Sequence, residues 1–424
     1  MNFLVKNVFI KVLFSLFFSI IIIGLSFYDL FWINFWGSLY VPPILPAFSD
    51  FNALNIFLEV KNEGSNPYFE NSDKIYTGLA YPSIWLNLVE FLNLKNIINF
   101  KICVFIILFL YFYILIDLAF LVNNKIFNIL LGVFFFSTSN FLLLERLNID
   151  IIIFSLIYLL LINKKPLTQL FLFMLSFVLK IYPIFSIFVF IDKKKYFFLI
   201  FIFISAYLFF MRGEILLMTN NIVECALTFC YGVGSISKAI YFYSIEYNYF
   251  INENNYDFFR NIMVMMAMVF ASIVILSQIK FQEKNYIKKL SIDQKMFLSG
   301  AGIYLGTFAT TGNVDYRLVY LLFTIPYLLK ENYKTLNYIY FVSIIFCFNS
   351  LVIEGGNPYS LFYFIKGSAV HFLKFIIFTV NCYYFGKILN NFIDVSFLVK
   401  KNSLNFHLFN ISIIYERFRA KNDI

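Results

Sequence analysis

Residues 8–33, VFIKVLFSLFFSIIIIGLSFYDLFWI, decide the fold of this chain. The stretch is apolar apart from a few positions, and an apolar run of about 20 residues is long enough to cross a bilayer as a helix. It is longer than the apolar part of a signal peptide and has no small-residue cleavage site. We therefore interpret it as a retained first membrane span.

Similar apolar segments recur along the chain, and the protein is 61% hydrophobic with only 13% charged residues. A soluble domain carries roughly twice that charge. The pattern predicts an all-α polytopic membrane protein with about ten full crossings, forming one integrated domain over residues 1–399 with a cytoplasmic tail over 400–424. The predicted crossings are 8–33, 98–122, 126–143, 148–163, 196–212, 258–279, 296–311, 317–329, 336–353 and 364–389.

Two further apolar segments are broken. Residues 79–94 are short and begin near Tyr81-Pro82, and residues 168–190 are interrupted by Pro183. The placement of charged loops agrees with the number of crossings only if both segments return to the side on which they start. Broken helices can do this when they are buried in protein, so we expect two re-entrant helices.

The net charge of the loops predicts their sides. Residues 280–295 carry a net charge of +3, whereas the first loop, 34–78, carries −3 and the long loop 213–257 carries −4. Lys and Arg collect in cytoplasmic loops. We therefore place both acidic loops outside and both termini in the cytoplasm of a multi-pass plasma (inner) membrane protein. This bias also explains the overall charge of +9, so membrane lipids are expected as partners and nucleic acid is not.

The first outer loop contains residues 49–68, SDFNALNIFLEVKNEGSNPY. Its apolar residues recur at helical spacing, which predicts a helix lying along the membrane surface. Asp50 stands at the start of this helix. It could cap the helix, or it could be a catalytic carboxylate.

Three other polar groups are expected on the same face. Asp150 opens an apolar run, where an unpaired acid is costly; Arg146 is its expected partner, and Asn148 lies between them. Lys180 either extends its ammonium to the interface or holds a phosphate. Arg317 either pairs with Asp315 or belongs to the site.

The long outer loop raises two further questions. Its tyrosines, at 231, 241, 243, 247, 249 and 256, form either an interfacial aromatic belt or a wall that stacks on sugar rings. Its two cysteines, Cys225 and Cys230, are expected to be unpaired thiols rather than a disulfide.

One acid surrounded by cations suits the transfer of a group from a phosphate donor. A carboxylate can deprotonate a hydroxyl acceptor. A departing phosphate needs positive charge rather than a proton donor, so the cations Arg146, Lys180 and Arg317 would complete the site.

The order of these motifs resembles the GT-C superfamily of membrane glycosyltransferases, and most closely glycosyltransferase family 87, the polyprenyl-phosphate mannose-dependent enzymes. The motifs are Asp50, Gly64-Ser65-Asn66-Pro67-Tyr68, Tyr81-Pro82-Ser83, Arg146-x-Asn148-x-Asp150 and Lys180-x-x-Pro183, and the likeness covers roughly residues 8–330. Lys180-Ile181-Tyr182-Pro183 also resembles a hairpin of the GPI mannosyltransferases.

The resemblance implies a GT-C-like bundle and an inverting glycosyltransferase. Such an enzyme would take sugar from a polyprenyl-phosphate carrier and pass it to a glycan or lipid-linked acceptor outside the cell. It also implies that Asp50 is the general base and that Arg146, Lys180 or Arg317 contacts the lipid phosphate, supported by Asn148, Asp150 and Asp315. Many relatives carry paired acids in the first loop; here Asp50 has no adjacent second acid, so no metal or other cofactor is assigned.

Three other functions compete with this interpretation. A polysaccharide polymerase or ligase would rely on several arginines in its outer loops, and residues 213–257 contain none. A lipid-linked glycan transporter would suit the two broken segments, but it predicts internal repeats and paired charges near the membrane midplane. A non-catalytic membrane scaffold would leave Asp50, Asp150 and Lys180 without a role.

Overall fold

A computed structural model describes residues 3–69, 78–221, 230–246, 253–279, 289–310, 312–354 and 361–392. These residues are almost entirely helical, as an all-α membrane protein requires. The predicted tail 400–424 lies outside them. The first half contains α1 Phe3–Leu25, α2 Asp29–Ser38, α3 Ser49–Asn62, α4 Ile84–Phe91, α5 Ile97–Val122, α6 Lys125–Phe135, α7 Thr138–Arg146, α8 Asp150–Ile162, α9 Pro166–Leu179 and the 3-10 helix η1 Tyr182–Phe190.

The second half is built in the same way, with one minimal sheet in which the two-residue strands β1 and β2 pair antiparallel. Its elements are α10 Lys194–Phe210, α11 Arg212–Asn220, β1 Cys230–Tyr231, α12 Val233–Glu246, α13 Glu253–Ser277, α14 Ile292–Thr310, β2 Asn313–Val314, the 3-10 helix η2 Asp315–Phe323, α15 Ile325–Leu328, α16 Lys334–Phe348, α17 Ser350–Glu354 and α18 Leu361–Leu389.

Four of the described helices are long and apolar enough to cross a membrane: 7–25, 97–122, 255–277 and 366–389. Two bent pairs, α6 with α7 and α10 with α11, raise this number to six if each pair is one span. The sequence predicts about ten crossings. Two of the additional predicted crossings, 148–163 and 336–353, coincide with the shorter apolar helices α8 and α16.

Helices α1 and α5 pack antiparallel, and polar side chains connect them near both ends. Lys11 forms an ion pair with Asp117 near one end, and Nζ of Lys101 donates to Oγ of Ser26, at 2.6 Å, near the other. The hydroxyl of Tyr158, on α8, also donates to Asp117. These pairings satisfy charged groups that would be costly to leave alone in an apolar setting.

The segment from α9 to η1 is a hairpin with Lys180 near its tip. Gln169 lies near the start of α9 and Lys193 follows η1, yet Nζ of Lys193 donates to Oε1 of Gln169 at 2.6 Å. The chain therefore returns to the end of the hairpin at which it started. That this segment is re-entrant in the membrane stays a prediction.

Helix α14 forms the centre of the bundle, and its described side chains are almost all buried. It packs closely against both 3-10 helices because glycine faces them. A Cβ on Gly302 would overlap the backbone carbonyl of Phe185 in η1, and one on Gly300 would overlap the carbonyl of Tyr320 in η2. Small residues permit this close approach between membrane helices.

The segment that runs back along α14 is not a regular α-helix. Residues 317–329 were predicted to form a crossing, but they belong to η2 and α15. Lys330 forms an ion pair with Asp293, at the start of α14. The return segment therefore spans the length of α14 through the longer rise per residue of a 3-10 helix.

Cys230 is disulfide-bonded, so the prediction of unpaired thiols in this loop was wrong for that residue. The described cysteines 103, 347 and 382 are free, and Cys225 lies outside the described residues. A disulfide stabilises the folded protein mainly by lowering the conformational entropy of the unfolded chain.

Candidate active site

Asp50 lies in the first turn of α3, where the chain turns sharply. Phe48, the residue before the helix begins, is buried and left-handed, with a φ of 62°. Such a conformation is uncommon for a bulky residue and is strained. Asp50 does not cap the helix, because the cap position is Phe48 and has no side-chain cap hydrogen bond. The amphipathic helix predicted from the sequence is confirmed, with Phe51, Leu54, Phe57, Leu58 and Val60 buried.

The carboxylate of Asp50 has one bound and one unbound oxygen. Nδ2 of Asn148 donates to Oδ2 at 2.5 Å, and no described residue donates a hydrogen bond to Oδ1. Asp50 is partly exposed. Burial raises the pKa of Asp50, while the hydrogen bond from Asn148 and the charge of Arg146 oppose that rise. An oxygen that is accessible and unbound can accept a proton.

Asn148 connects Asp50 to the other polar groups of the site. It follows Leu147, a second strained left-handed residue with a φ of 45°. Its Oδ1 accepts from the backbone N–H of Asp150 at 3.0 Å and from Nζ of Lys180 at 3.3 Å. These two donors fix the orientation of the amide, so that its NH2 group points to Asp50.

Asp150 is the most highly bonded acid in this region, and it is completely buried. Its Oδ1 lies 2.5 Å from Nζ of Lys180, and its Oδ2 lies 3.1 Å from Nε of Arg317. The predicted pairing of Asp150 with Arg146 was therefore wrong. Two cations share one carboxylate, which leaves this group of three residues with a net charge of +1.

Two tyrosines that the sequence did not single out complete the surroundings of Asp150. The hydroxyl of Tyr182 donates to Oδ1 of Asp150 and lies 2.6 Å from the hydroxyl of Tyr320. Tyr320 in turn donates to the backbone carbonyl of Asp150 at 3.2 Å. The only sequence signal was their position beside Lys180 and Arg317, because tyrosine is common throughout this chain.

Arg317 retains a free donor. Its Nε bonds to Asp150 and its Nη1 to Asn313, but its Nη2 has no hydrogen-bond partner among the described residues. The guanidinium also lies 5.1 Å from the ring of Tyr182. Arg317 can therefore bind an additional anion without releasing Asp150.

Arg146 is engaged on all three of its nitrogens. Nε lies 2.8 Å from Oε2 of Glu145, Nη1 donates to Ser49, and Nη2 donates to the carbonyl of Pro42. Glu145 is completely buried and accepts from the indole of Trp32 and the backbone N–H of Ile44. Residues 145–150 are therefore not a turn of solvated charges.

Asp315 belongs to a separate buried cluster. Lys374, in the middle of α18, lies 2.8 Å from Oδ2 of Asp315, and Ser350 donates to the same oxygen. Of the two alternatives for Arg317, the pair with Asp315 is not what the structure shows, since Arg317 is bound to Asp150. Lys374 was missed, although a lysine inside an apolar helix is a functional or structural signal.

The tyrosines of the long loop do not form an exposed wall where they are described. Tyr231 is completely buried and stacks on Tyr304 with centroids 5.2 Å apart. Tyr241 and Tyr256 are also buried and pack on each other. The side chain of Tyr243 and all of Tyr247 and Tyr249 lie outside the described residues.

An apolar cavity of about 230 Å³ is lined by residues that are close along the chain to several residues of the polar site. One wall holds Phe51, which follows Asp50, and another holds Ile152, two residues after Asp150. A third contains Trp85, whose indole N–H donates to the carbonyl of Leu179, next to Lys180. Asp50, Asp150 and Lys180 are not themselves part of the lining; they are near neighbours along the chain of residues that are.

No cluster of three or more His, Cys, Asp or Glu side chains with metal-binding geometry occurs in the part of the chain that the structure describes. No protein-family model matches the chain, and no curated protein and no solved structure shows a significant similarity to it. The chemistry of the site therefore rests on its own residues.

Proposed function

We propose that this protein is an inverting glycosyltransferase that moves a sugar from a polyprenyl-phosphate carrier to a glycan or lipid-linked acceptor. The observation that carries the proposal is the carboxylate of Asp50, with one unbound oxygen, linked through Asn148 to Lys180. The carboxylate of Asp50 and the ammonium of Lys180 thus contact the two ends of the same side-chain amide, that of Asn148. The resemblance to the GT-C enzymes supports the same assignment.

In this reaction Oδ1 of Asp50 takes the proton of the acceptor hydroxyl. The acceptor oxygen forms a bond to the anomeric carbon on the face opposite the phosphate. The bond from that carbon to the phosphate oxygen breaks, and its electron pair leaves with the phosphate. The displacement inverts the anomeric centre, and the carrier departs as a phosphate monoester.

Lys180 and Arg317 stabilise the departing phosphate. Together with Asp150 they provide a net positive charge, and Nη2 of Arg317 offers an unused donor. Preorganised positive charge in a site that excludes water lowers the barrier more than the same charge in water. Arg146 is assigned a positioning role, because its nitrogens already bind Glu145, Ser49 and Pro42.

The apolar cavity lined by Phe51, the residue after Asp50, supports a lipid carrier rather than a soluble nucleotide sugar. Its lining is almost entirely hydrocarbon and aromatic, with Ser155 bonded to its own helix. Burying apolar chain there would contribute about 25 cal/mol for each square ångström removed from water.

We further propose that the site faces the extracytoplasmic side of the plasma membrane, with about ten crossings and cytoplasmic termini. Disulfides persist in oxidising compartments. Strand β1, which contains the disulfide-bonded Cys230, pairs with β2, and Asn313 of β2 accepts from Arg317. The disulfide of Cys230 and the guanidinium of Arg317 therefore lie at the same end of the molecule.

The test is Asp50→Asn, assayed in membranes for sugar transfer from a polyprenyl-phosphate donor. Transfer should be lost while expression and membrane insertion remain normal, because asparagine keeps the shape but is not a base. The matched control is Glu63→Gln, which neutralises an exposed acid at the end of the same helix. Unchanged transfer by Asp50→Asn would remove Asp50 from the reaction.

A lipid-linked glycan transporter is the second candidate, because Lys374 and Asp315 form a completely buried pair within the helical bundle. Such pairs mark ion or substrate pathways in transporters. Purified protein in vesicles distinguishes the two: a transporter would move the labelled lipid across the bilayer without forming a new glycosidic bond.

A further inference from the structure

Helix α11 lies against a loop that includes residues 67–69 and 78–83, because the chain bends by 74° between α10 and α11. Glu214, in the first turn of α11, reaches two points of that loop. Its Oε1 accepts from the hydroxyl of Tyr68 at 2.8 Å and from the backbone N–H of Ser83 at 2.6 Å. Its Oε2 lies 3.2 Å from Oγ of Ser83.

The residue that follows α11 binds the same loop. Nδ2 of Asn221 donates to the backbone carbonyls of Tyr68, at 2.9 Å, and Leu79, at 3.1 Å. The backbone N–H of Leu79 also donates to the carbonyl of Pro67 at 2.8 Å. Gly78 permits this closeness, since a Cβ there would overlap Tyr68. Glu214 and Asn221 thus hold residues 67–69 and 78–83 side by side.

Tyr81 lies within the held segment and belongs to the candidate site. Its ring centroid is 5.2 Å from Nζ of Lys180, and its hydroxyl is 3.4 Å from Nδ2 of Asn148. Ser83, bound by Glu214, is two residues away, so the position of Tyr81 depends on where the loop is held. Glu214 itself contacts neither Lys180 nor Asn148.

We propose that Glu214 is a positioning residue that holds Tyr81 over the ammonium of Lys180. A carboxylate suits this role, because it accepts several hydrogen bonds at once and its bonds are stronger than those of a neutral acceptor. Through Tyr81 it fixes the direction in which Lys180 can meet a phosphate. The effect on sugar transfer rests on the proposed function, whereas the position of Tyr81 does not.

The experiment measures how fast an amine-acylating reagent modifies Lys180 in the full-length protein in detergent, read by mass spectrometry. In Glu214→Ala the loop is released and Lys180 loses its cover. Loss of a hydrogen bond to a charged group favours the released loop by roughly tenfold, so modification should be faster by about that factor. Tyr81→Ala should give a similar increase, and Glu63→Gln should match the wild type.

A milder variant keeps the test valid if Glu214→Ala does not fold. Ser83→Ala removes the bond from Oγ of Ser83 to Oε2 of Glu214 and should give a smaller increase at Lys180. A wild-type rate of modification in a folded Glu214→Ala protein would overturn the proposal, as would a wild-type rate in Tyr81→Ala.

Sugar transfer provides a separate readout. If the proposed function holds, Glu214→Ala should lower kcat for transfer more than it raises KM for the acceptor. Absence of transfer in the wild type would refute the proposed function and leave the result at Lys180 unaffected. Faster modification of Lys180 with wild-type transfer would show that the position of Tyr81 does not matter to the reaction, which overturns the catalytic part of the inference.

Discussion

The ammonium of Lys180 lies 2.5 Å from a carboxylate oxygen of Asp150, and the two side chains are 10% and 0% exposed. Arg317 occupies the other oxygen of the same carboxylate. Removing charges from water is costly, so such a group persists only when its geometry and hydrogen bonds compensate. Here Tyr182, Tyr320 and Asn148 supply those bonds, which makes the group a rigid support for the site.

The first prediction concerns this buried group. Asp150→Asn leaves two cations close together without a counter-charge, and breaking a buried pair in this way typically costs about 3–5 kcal/mol. The variant should unfold at a clearly lower temperature in detergent, measured by intrinsic fluorescence. The double variant Asp150→Asn with Lys180→Met should recover part of the loss. If the double variant is less stable than Asp150→Asn, the ion pair is not what holds the group together.

The second prediction concerns pH. A general base works only when ionised, and burial raises the pKa of Asp50 above its usual range. Transfer should therefore fall as the pH drops through this raised pKa, so the acid limb should lie above the ordinary pKa of a free aspartate, about 3.9. The measurement is kcat/KM for transfer as a function of pH.

The variant Asn148→Ala tests whether Asp50 is the group that sets the acid limb of this pH profile. The hydrogen bond from Asn148 lowers the pKa of Asp50, so its removal should raise that pKa and shift the acid limb to higher pH, with an overall loss of rate. Glu63→Gln should leave the profile where it is. An acid limb that stays in place in Asn148→Ala would indicate that another group titrates.

The third prediction separates the two arginines. Arg317→Ala removes the unused donor and should raise KM for the lipid donor by roughly tenfold or more, as expected for a hydrogen bond to a charged group. Arg146→Ala leaves Glu145 buried without its cation and should mainly lower the unfolding temperature. Donor titrations and thermal unfolding of both variants test this division. A KM increase confined to Arg146→Ala would reverse the two roles.

The fourth prediction concerns the centre of the bundle. A Cβ at Gly302 would overlap the backbone carbonyl of Phe185, so Gly302→Ala should destabilise the protein by about 1–3 kcal/mol. The matched control is Gly132→Ala, in α6, where a Cβ meets nothing within 4 Å. Because alanine favours a helix, that variant should be neutral or slightly more stable. Equal unfolding temperatures would contradict the packing of α14 on η1.

Several elements were predictable because their signals are local. The apolar runs gave the membrane-helical class, and the spacing of Phe51, Leu54 and Phe57 gave the amphipathic helix α3. The break at Lys180 and Pro183 gave the returning hairpin from α9 to η1. The number of crossings was harder to predict, because hydropathy does not show whether an apolar segment forms a long α-helix or a short or 3-10 helix such as η2.

The pairing of charges was not predictable. Neighbouring residues predicted Arg146 as the partner of Asp150 and left a pair with Asp315 as one of two alternatives for Arg317. The structure shows neither pair. The actual partners of Asp150 stand 30 and 167 residues away. Lys374, the partner of Asp315, stands 59 residues from it. Proximity in sequence is a poor guide when a buried charge can be stabilised by any helix that packs against it.

The sequence by itself determined that this is a helical membrane protein with an acid, Asp50, at the start of an amphipathic helix, because hydropathy and helical periodicity are properties of consecutive residues. Only the tertiary structure decided that Asn148 binds Asp50, that Asp150 holds Lys180 and Arg317, and that Glu214 binds the loop of Tyr81. Electrostatic and hydrogen-bond energies depend on distances of a few ångströms between atoms, and packing of distant segments sets those distances.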